Sequence, residues 1–226
     1  MRKIIGFFAF TAMTTTLFAS SQEEVNKRLD DAATVFSEVT AAPDKGIPTD
    51  LLEKAHCAVI VPGLKKGAFI IGAQYGKGFV TCRESGGTKW SPPAAIRVEG
   101  GSLGLQIGGS ETDVVMLVMN ERGAQKLMES QFTLGGEGEV AAGPVGREAT
   151  AQTDAKFHAE ILSWSRTRGI FAGISLKGAT LRTDKDDNQA LYGKEMDTRE
   201  VIDSKIALSA PGRRLISMLS KYAFRG

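Results

Sequence analysis

Between residues 25 and 39 the apolar positions Val25, Leu29, Ala32, Ala33, Phe36 and Val39 recur at helical spacing, with Glu24, Lys27, Arg28 and Asp31 on the other side. This pattern predicts an amphipathic helix that ends before Pro43. Its polar face is mixed in charge, which favours packing on the chain's own body over lying on a membrane surface. Pro48-Thr49-Asp50 opens a short helix through Ala55, capped by Thr49 or Asp50. The spacing then changes. Ala58-Val59-Ile60-Val61 reads as a buried strand stopped by Pro62-Gly63. Strands follow over Ala68 to Tyr75, Phe79 to Arg83, Ile96 to Glu99, Ser102 to Gly108 and Val114 to Met119, with Gly or Pro between most of them.

Asn120 caps a helix that carries Ala124, Leu127, Met128 and Phe132 on one face. Gly135 to Gly146 reads as a flexible loop, and Ala149 to Ser165 as extended chain. Ile170, Ala172, Ile174 and Leu176 alternate as a half-buried strand. Leu215, Met218, Leu219 and Tyr222 make a last amphipathic helix from about Pro211. The fold expected is α+β: one domain over residues 22–226, mostly antiparallel sheet, sandwich or barrel-like, with amphipathic helices flanking it at both ends. The 26 glycines fit the turns and close backbone approaches of such a sheet.

The N-terminus changes the picture of compartment. Arg2 and Lys3 precede an apolar run from Ile4 to Phe10, and Ala19-Ser20-Ser21 supplies small residues before Gln22. Residues 1–21 are expected to be a cleaved signal peptide, which would make the protein periplasmic or secreted. The chain carries 28 Lys plus Arg against 26 Asp plus Glu. Without Arg2 and Lys3 it is formally neutral, so the basic excess of a nucleic-acid domain is missing and no nucleic-acid partner is expected.

Few residue patterns carry chemistry. Cys57 and Cys82 form either a disulfide, in an oxidising compartment, or two buried thiols on neighbouring strands. Gly100-Gly101-Ser102-Leu103-Gly104 matches G-x-S-x-G, but strand-like alternation follows Ser102 where a hydrolase needs a helix, and only His56 and His158 could serve as base. A structural turn is the better reading, and no enzyme and no cofactor are expected. Asp184, Asp186, Asn188 and Glu195 stand at calcium-loop spacing. Gln189 sits where the turn needs glycine, so a solvated acidic hairpin loop is favoured and no metal is expected. Basic residues at turns, Lys65, Lys66, Arg166 and Arg168, gain interest only where two turns meet beside exposed apolar residues such as Trp164 or Phe171.

Several segments together resemble the SYLF family. They are Ala58-Val59-Ile60-Val61-Pro62, Trp90-Ser91-Pro92-Pro93, Gly101 to Gly108, Gly143-Pro144-Val145-Gly146-Arg147, Ser165 to Leu176 and Leu191-Tyr192-Gly193. The likeness spans about Val25 to Leu219. Trp164 stands where the family often has tyrosine, and Lys177 where an acidic residue is common. The resemblance implies a phospholipid-binding module, and in some eukaryotic relatives actin binding. For an exported chain it implies a non-enzymatic envelope protein that meets a phospholipid or membrane surface, with actin not expected. Lys65, Lys66, Arg147, Arg166 and Arg168 would then hold headgroup phosphate, or the β-rich core would hold acyl chains. A structural or protein-interaction role in the envelope without lipid is the alternative, and a hydrolase using Ser102 comes third.

Overall fold

The computed structural model describes residues 12–42, 46–68, 72–84, 87–102, 108–143, 159–167, 170–171 and 176–223. Helices α1 (Ala12–Thr40) and α2 (Thr49–Lys54) come first, followed by β1 (Cys57–Ala68), β2 (Gly72–Cys82), β3 (Ala94–Ser102) and β4 (Gly108–Val118). Helix α3 (Glu121–Leu127) leads into β5 (Gln131–Thr133), β6 (Val140–Ala142), β7 (Ile161–Thr167), β8 (Ile170–Phe171) and β9 (Thr180–Thr183). Helices α4 (Lys185–Tyr192), α5 (Thr198–Ile202) and α6 (Ala210–Tyr222) complete the described chain.

The strands form one nine-stranded sheet in the order β5-β9-β3-β2-β1-β4-β7-β6, with β8 on β7. Only β6 and β7 run parallel; the other pairs are antiparallel. The fold is therefore α+β, with a mostly antiparallel sheet and helices at both ends. Its central strands are covered on both faces. Ala58, Ile60, Phe79, Val115, Leu117 and Trp164 point to one side, where Leu29, Phe36 and Val39 of α1 and Leu215 and Leu219 of α6 close over them. Val59, Val61, Val80, Ile96 and Met116 point to the other, against Leu127 of α3, Val201 of α5, Phe132 and Leu134. Two-sided burial explains the unbroken apolar run at residues 58–61.

Pro62-Gly63 bends β1 instead of stopping it. The registers with β2 and β4 both shift there, which is a β-bulge. Gly63 takes φ 60°, a left-handed conformation that favours glycine, and its amide donates to Asp113 Oδ1 at 3.0 Å. Likewise, Gly72 to Tyr75 of the first run and Phe79 to Cys82 of the second belong to one strand, β2, while Ala68 ends β1 and residues 69–71 lie outside the described residues. Phe132, expected on the helix after Asn120, lies in β5, while Asn120 does cap α3 by accepting from Gly123 N at 2.7 Å. The glycine-rich segment expected to be a loop contains β6. Helix α1 runs continuously through the expected cleavage position at Ser21-Gln22.

The acidic hairpin loop expected at residues 184–195 is a correction. Asp184 caps α4 by accepting from Asp187 N at 3.1 Å, and Gly193, at φ 76°, ends the helix in the left-handed conformation. Asn188 is fully buried, accepts from Ala95 N at 2.8 Å and donates to Met196 O at 2.9 Å. An Asp that caps and an Asn that faces inward cannot also circle a cation. No cluster of metal-ligating side chains occurs among the described residues.

Candidate functional site

The polar side of α1 does not rest on the sheet. Beyond the bulge in β1, the same face of β1, β2 and β4 that carries the core further along becomes polar, because strand alternation sends Lys65, Tyr75, Lys77, Glu111 and Asp113 to that side. Between this ledge and α1 lies an open groove of about 620 Å³, lined also by Arg166 from β7, Val35 and Pro62.

Two charge nodes build the groove. In the first, Lys77 Nζ lies 2.8 Å from Asp184 Oδ2 and 3.0 Å from Asp187 Oδ1, and Arg28 of α1 also holds Asp187. Both carboxylates are buried. Burial works to lower the Lys77 pKa, but hydrogen bonds and attraction from Asp184 and Asp187 outweigh it and hold it above its ordinary 10.5. This node ties α1, β2 and α4 together. In the second, Arg166 lies 2.6 Å from Glu38 Oε2 and 2.9 Å from Asp113 Oδ2. Asp113 also receives the Gly63 amide, so the bulge, β4 and β7 meet on its carboxylate, and α1 joins them through Glu38 on Arg166.

The exposed rim is different in kind. Tyr75 is 47% exposed and is the one large hydrophobic side chain left in solvent among the described residues. It stands directly across from Lys65 on β1, which in turn faces Glu111 on β4. Among the described residues no ion pair engages Lys65, Glu111 or Glu24.

Of the residues expected at basic turns, Lys65 and Arg166 do line one groove. Arg166 is committed to two carboxylates. Lys66 alternates away from that face, half-buried, and burial lowers its pKa. Arg147 and Arg168 lie outside the described residues. Trp164, expected as an exposed companion, is instead 2% exposed in the core. Phe171 pairs with Arg166 in the sheet. Arg28, Lys77, Tyr75 and Glu111 were not singled out by sequence. The signal existed: Tyr75 and Lys77 are two apart in a strand, and Glu111 and Asp113 repeat that step on β4.

Cys57 and Cys82 are bonded as a disulfide across β1 and β2, with Cα atoms 4.0 Å apart. They occupy directly opposed positions flanked by the Arg83 N to His56 O hydrogen bond, the non-hydrogen-bonded site where side chains approach most closely. Beside them Arg83 donates to Ala55 O and Leu52 O and stacks 4.5 Å over Trp90. Ser102 is the last residue of β3, opposite Gly72, and the residues that follow it, 103–107, lie outside the described residues. His158 lies outside the described residues.

Residues 99–222 match the Ysc84 family, described as "Las17-binding protein actin regulator". A Schizosaccharomyces pombe protein, "SH3 domain-containing protein PJ696.02", is 34% identical over 188 residues, covering 82% of this chain and 43% of that protein. The Xenopus laevis "SH3 domain-containing YSC84-like protein 1" is 33% identical over 199 residues, covering 84% and 58%. The Saccharomyces cerevisiae "Protein YSC84" is 30% identical over 184 residues, covering 80% and 39%. The chain spans about half the length of these relatives, or less. These findings correct the expectation of a phospholipid or membrane partner with actin set aside. That expectation discounted actin because residues 1–21 suggest export, whereas the match over most of the remaining chain leads to a family of actin regulators.

Proposed function

The chain belongs to the Ysc84 family, the SYLF resemblance of its sequence, and from that premise we propose that it is a non-enzymatic module that binds a protein of the actin-regulatory machinery. The family-level role is binding, and the family description names proteins, not small molecules, as its targets. The observation that carries the reading is that this description attaches to residues 99–222, more than half of the chain, from the last residues of β3 through β4 and β7 to the end of α6.

The groove supports it. A site for an anionic small ligand needs cations free to meet it, and here Arg166, Lys77 and Arg28 are already held by the chain's own carboxylates. An open, charge-mixed groove with one exposed aromatic on its rim suits a protein surface better. Catalysis finds no support: Ser102 ends a strand, and Asp184 and Asp187 are consumed by structural bonds.

The test is co-sedimentation of the chain with actin filaments, together with capture on purified Las17. Binding to either is expected. A chain that stays in the supernatant with filaments and is not retained by Las17, whether or not it pellets with vesicles, would overturn the proposal.

A further inference from the structure

Deepening the proposed protein-binding role, and resting on it, we infer that the groove between α1 and the β1–β2–β4 ledge takes a cationic segment of the protein partner, with an arginine stacked on Tyr75 and paired with Glu111. Three observations lead there. First, the free charges of the groove are not balanced. Among the described residues its other cations are each held by a carboxylate, which leaves Lys65 alone against Glu24 and Glu111, both exposed. Arg166 also meets two carboxylates, Glu38 and Asp113, while Lys77 and Arg28 only balance Asp184 and Asp187, so the field in the groove leans negative.

Second, Tyr75 presents nearly half of its surface at the rim. An exposed ring beside carboxylates is a receptor for a guanidinium, which stacks on the face and pairs at its edge. Third, the register places Tyr75, Lys65 and Glu111 in one row across β2, β1 and β4. Neighbouring strands lie about 4.8 Å apart, so the Tyr75 and Glu111 backbone positions are separated by about two strand spacings, and the Glu111 carboxylate leans over Gly63 of the intervening strand, which brings it toward the ring's side of the groove. Lys65, between them, is the only element of the row that opposes a cation. Its stem is flexible, and it can swing toward solvent as the arginine enters.

This arrangement makes a prediction of sign. In a phosphate or headgroup site, removing Lys65 weakens binding. In a cation-accepting groove, removing it strengthens binding. The experiment is fluorescence anisotropy of a labelled Arg-Gly repeat peptide and of its Glu-Gly counterpart against the whole chain, at low and physiological salt. The Arg-Gly peptide is expected to bind preferentially and to weaken with salt. Tyr75→Ala and Glu111→Gln are each expected to weaken it roughly two- to five-fold. Lys65→Ala is expected to tighten it by a similar factor. All three positions are at the exposed rim, so the fold should tolerate the changes, which circular dichroism checks.

Preference for the Glu-Gly peptide, a weakening on Lys65→Ala, or indifference to both Tyr75→Ala and Glu111→Gln overturns the inference. The same variants are then taken to actin filaments and Las17. If the wild-type chain binds one of these proteins and the rim variants bind it equally well, the groove inference fails while the module reading stands. If the wild-type chain binds neither protein, the module reading fails and the peptide preference is judged on its own.

Discussion

Replacing Lys77 by methionine tests how the groove is held together. The substitution keeps the length of the stem and removes the ammonium that bridges Asp184 and Asp187, whose side chains are 2% and 8% exposed. Breaking a buried pair by removing one partner costs about 3–5 kcal/mol, chiefly because a carboxylate is left uncompensated. Two features favour the lower end here. The Lys77 side chain retains 27% exposure, and Arg28 still holds Asp187. A loss of about 3 kcal/mol is therefore expected, which for a chain of this size corresponds to a fall in Tm of about 6–12 °C. Urea unfolding followed by circular dichroism measures it. Adding Asp184→Asn to Lys77→Met should recover part of the loss, since asparagine keeps the cap on α4 and leaves no charge behind. The sign with pH also follows. The folded-state pKa of Lys77 lies above 10.5, so its stabilisation is fully present below pH 10.5 and fades as the pH rises through the folded value. The difference between wild type and Lys77→Met should therefore shrink above pH 10.5. A loss under about 1 kcal/mol, the size of an exposed pair, would show that water reaches the carboxylates and would refute the reasoning.

Four further outcomes can be checked independently. The double variant Cys57→Ala, Cys82→Ala should lose about 3 kcal/mol in urea unfolding, since the bond closes a loop between residues 25 apart in sequence; an unchanged midpoint would show the bond to be idle. Gly143→Ala should destabilise by about 1–3 kcal/mol and perturb tryptophan fluorescence, because an added Cβ falls 2.2 Å from the ring of the buried Trp164. Calcium titration should release no heat and leave Tm unchanged; a Tm that rises with calcium would contradict the capping role of Asp184. Residues 1–21 are proposed as a cleaved leader, so N-terminal sequencing of the protein from its native host should start at Gln22, and a chain starting at Met1 sinks that proposal.

The elements with strong periodicity were legible in the sequence. Val25 to Val39 gave α1, Leu215 to Tyr222 gave α6, and Asn120 marked the start of α3 because a cap needs only its own side chain and the next three residues. What failed was punctuation. Pro62-Gly63 reads as a stop, yet the strand continues, because Asp113, fifty residues away, receives the Gly63 amide and makes the bulge tolerable. Asp184 to Glu195 reads as a solvated loop because its acids stand at calcium-loop spacing while Gln189 sits where that turn needs glycine. The counter-ions of Asp184 and Asp187, Lys77 and Arg28, come from elements that only the fold brings near.

The same physics explains why the groove is hard to find in the sequence and why the chemistry we infer for it is opposite to the first expectation. A sequence shows where cations are, and Lys65 and Arg166 stand out as basic turns. It does not show which cations are already occupied. Once Arg166 is held by Glu38 and Asp113, it stops being a ligand for an outside anion and becomes a strut between α1, β4 and β7. Freeing it to hold a phosphate would strand two carboxylates, one of them also bonded to the Gly63 amide. The groups left over, Tyr75, Glu111 and Glu24, carry only a weak signal in the sequence: the two-residue steps to Lys77 and Asp113, and a place on the polar side of the first helix. The inferred preference for an incoming cation thus rests on the charges that the fold leaves unpaired among the described residues, not on the charges that stand out in the sequence.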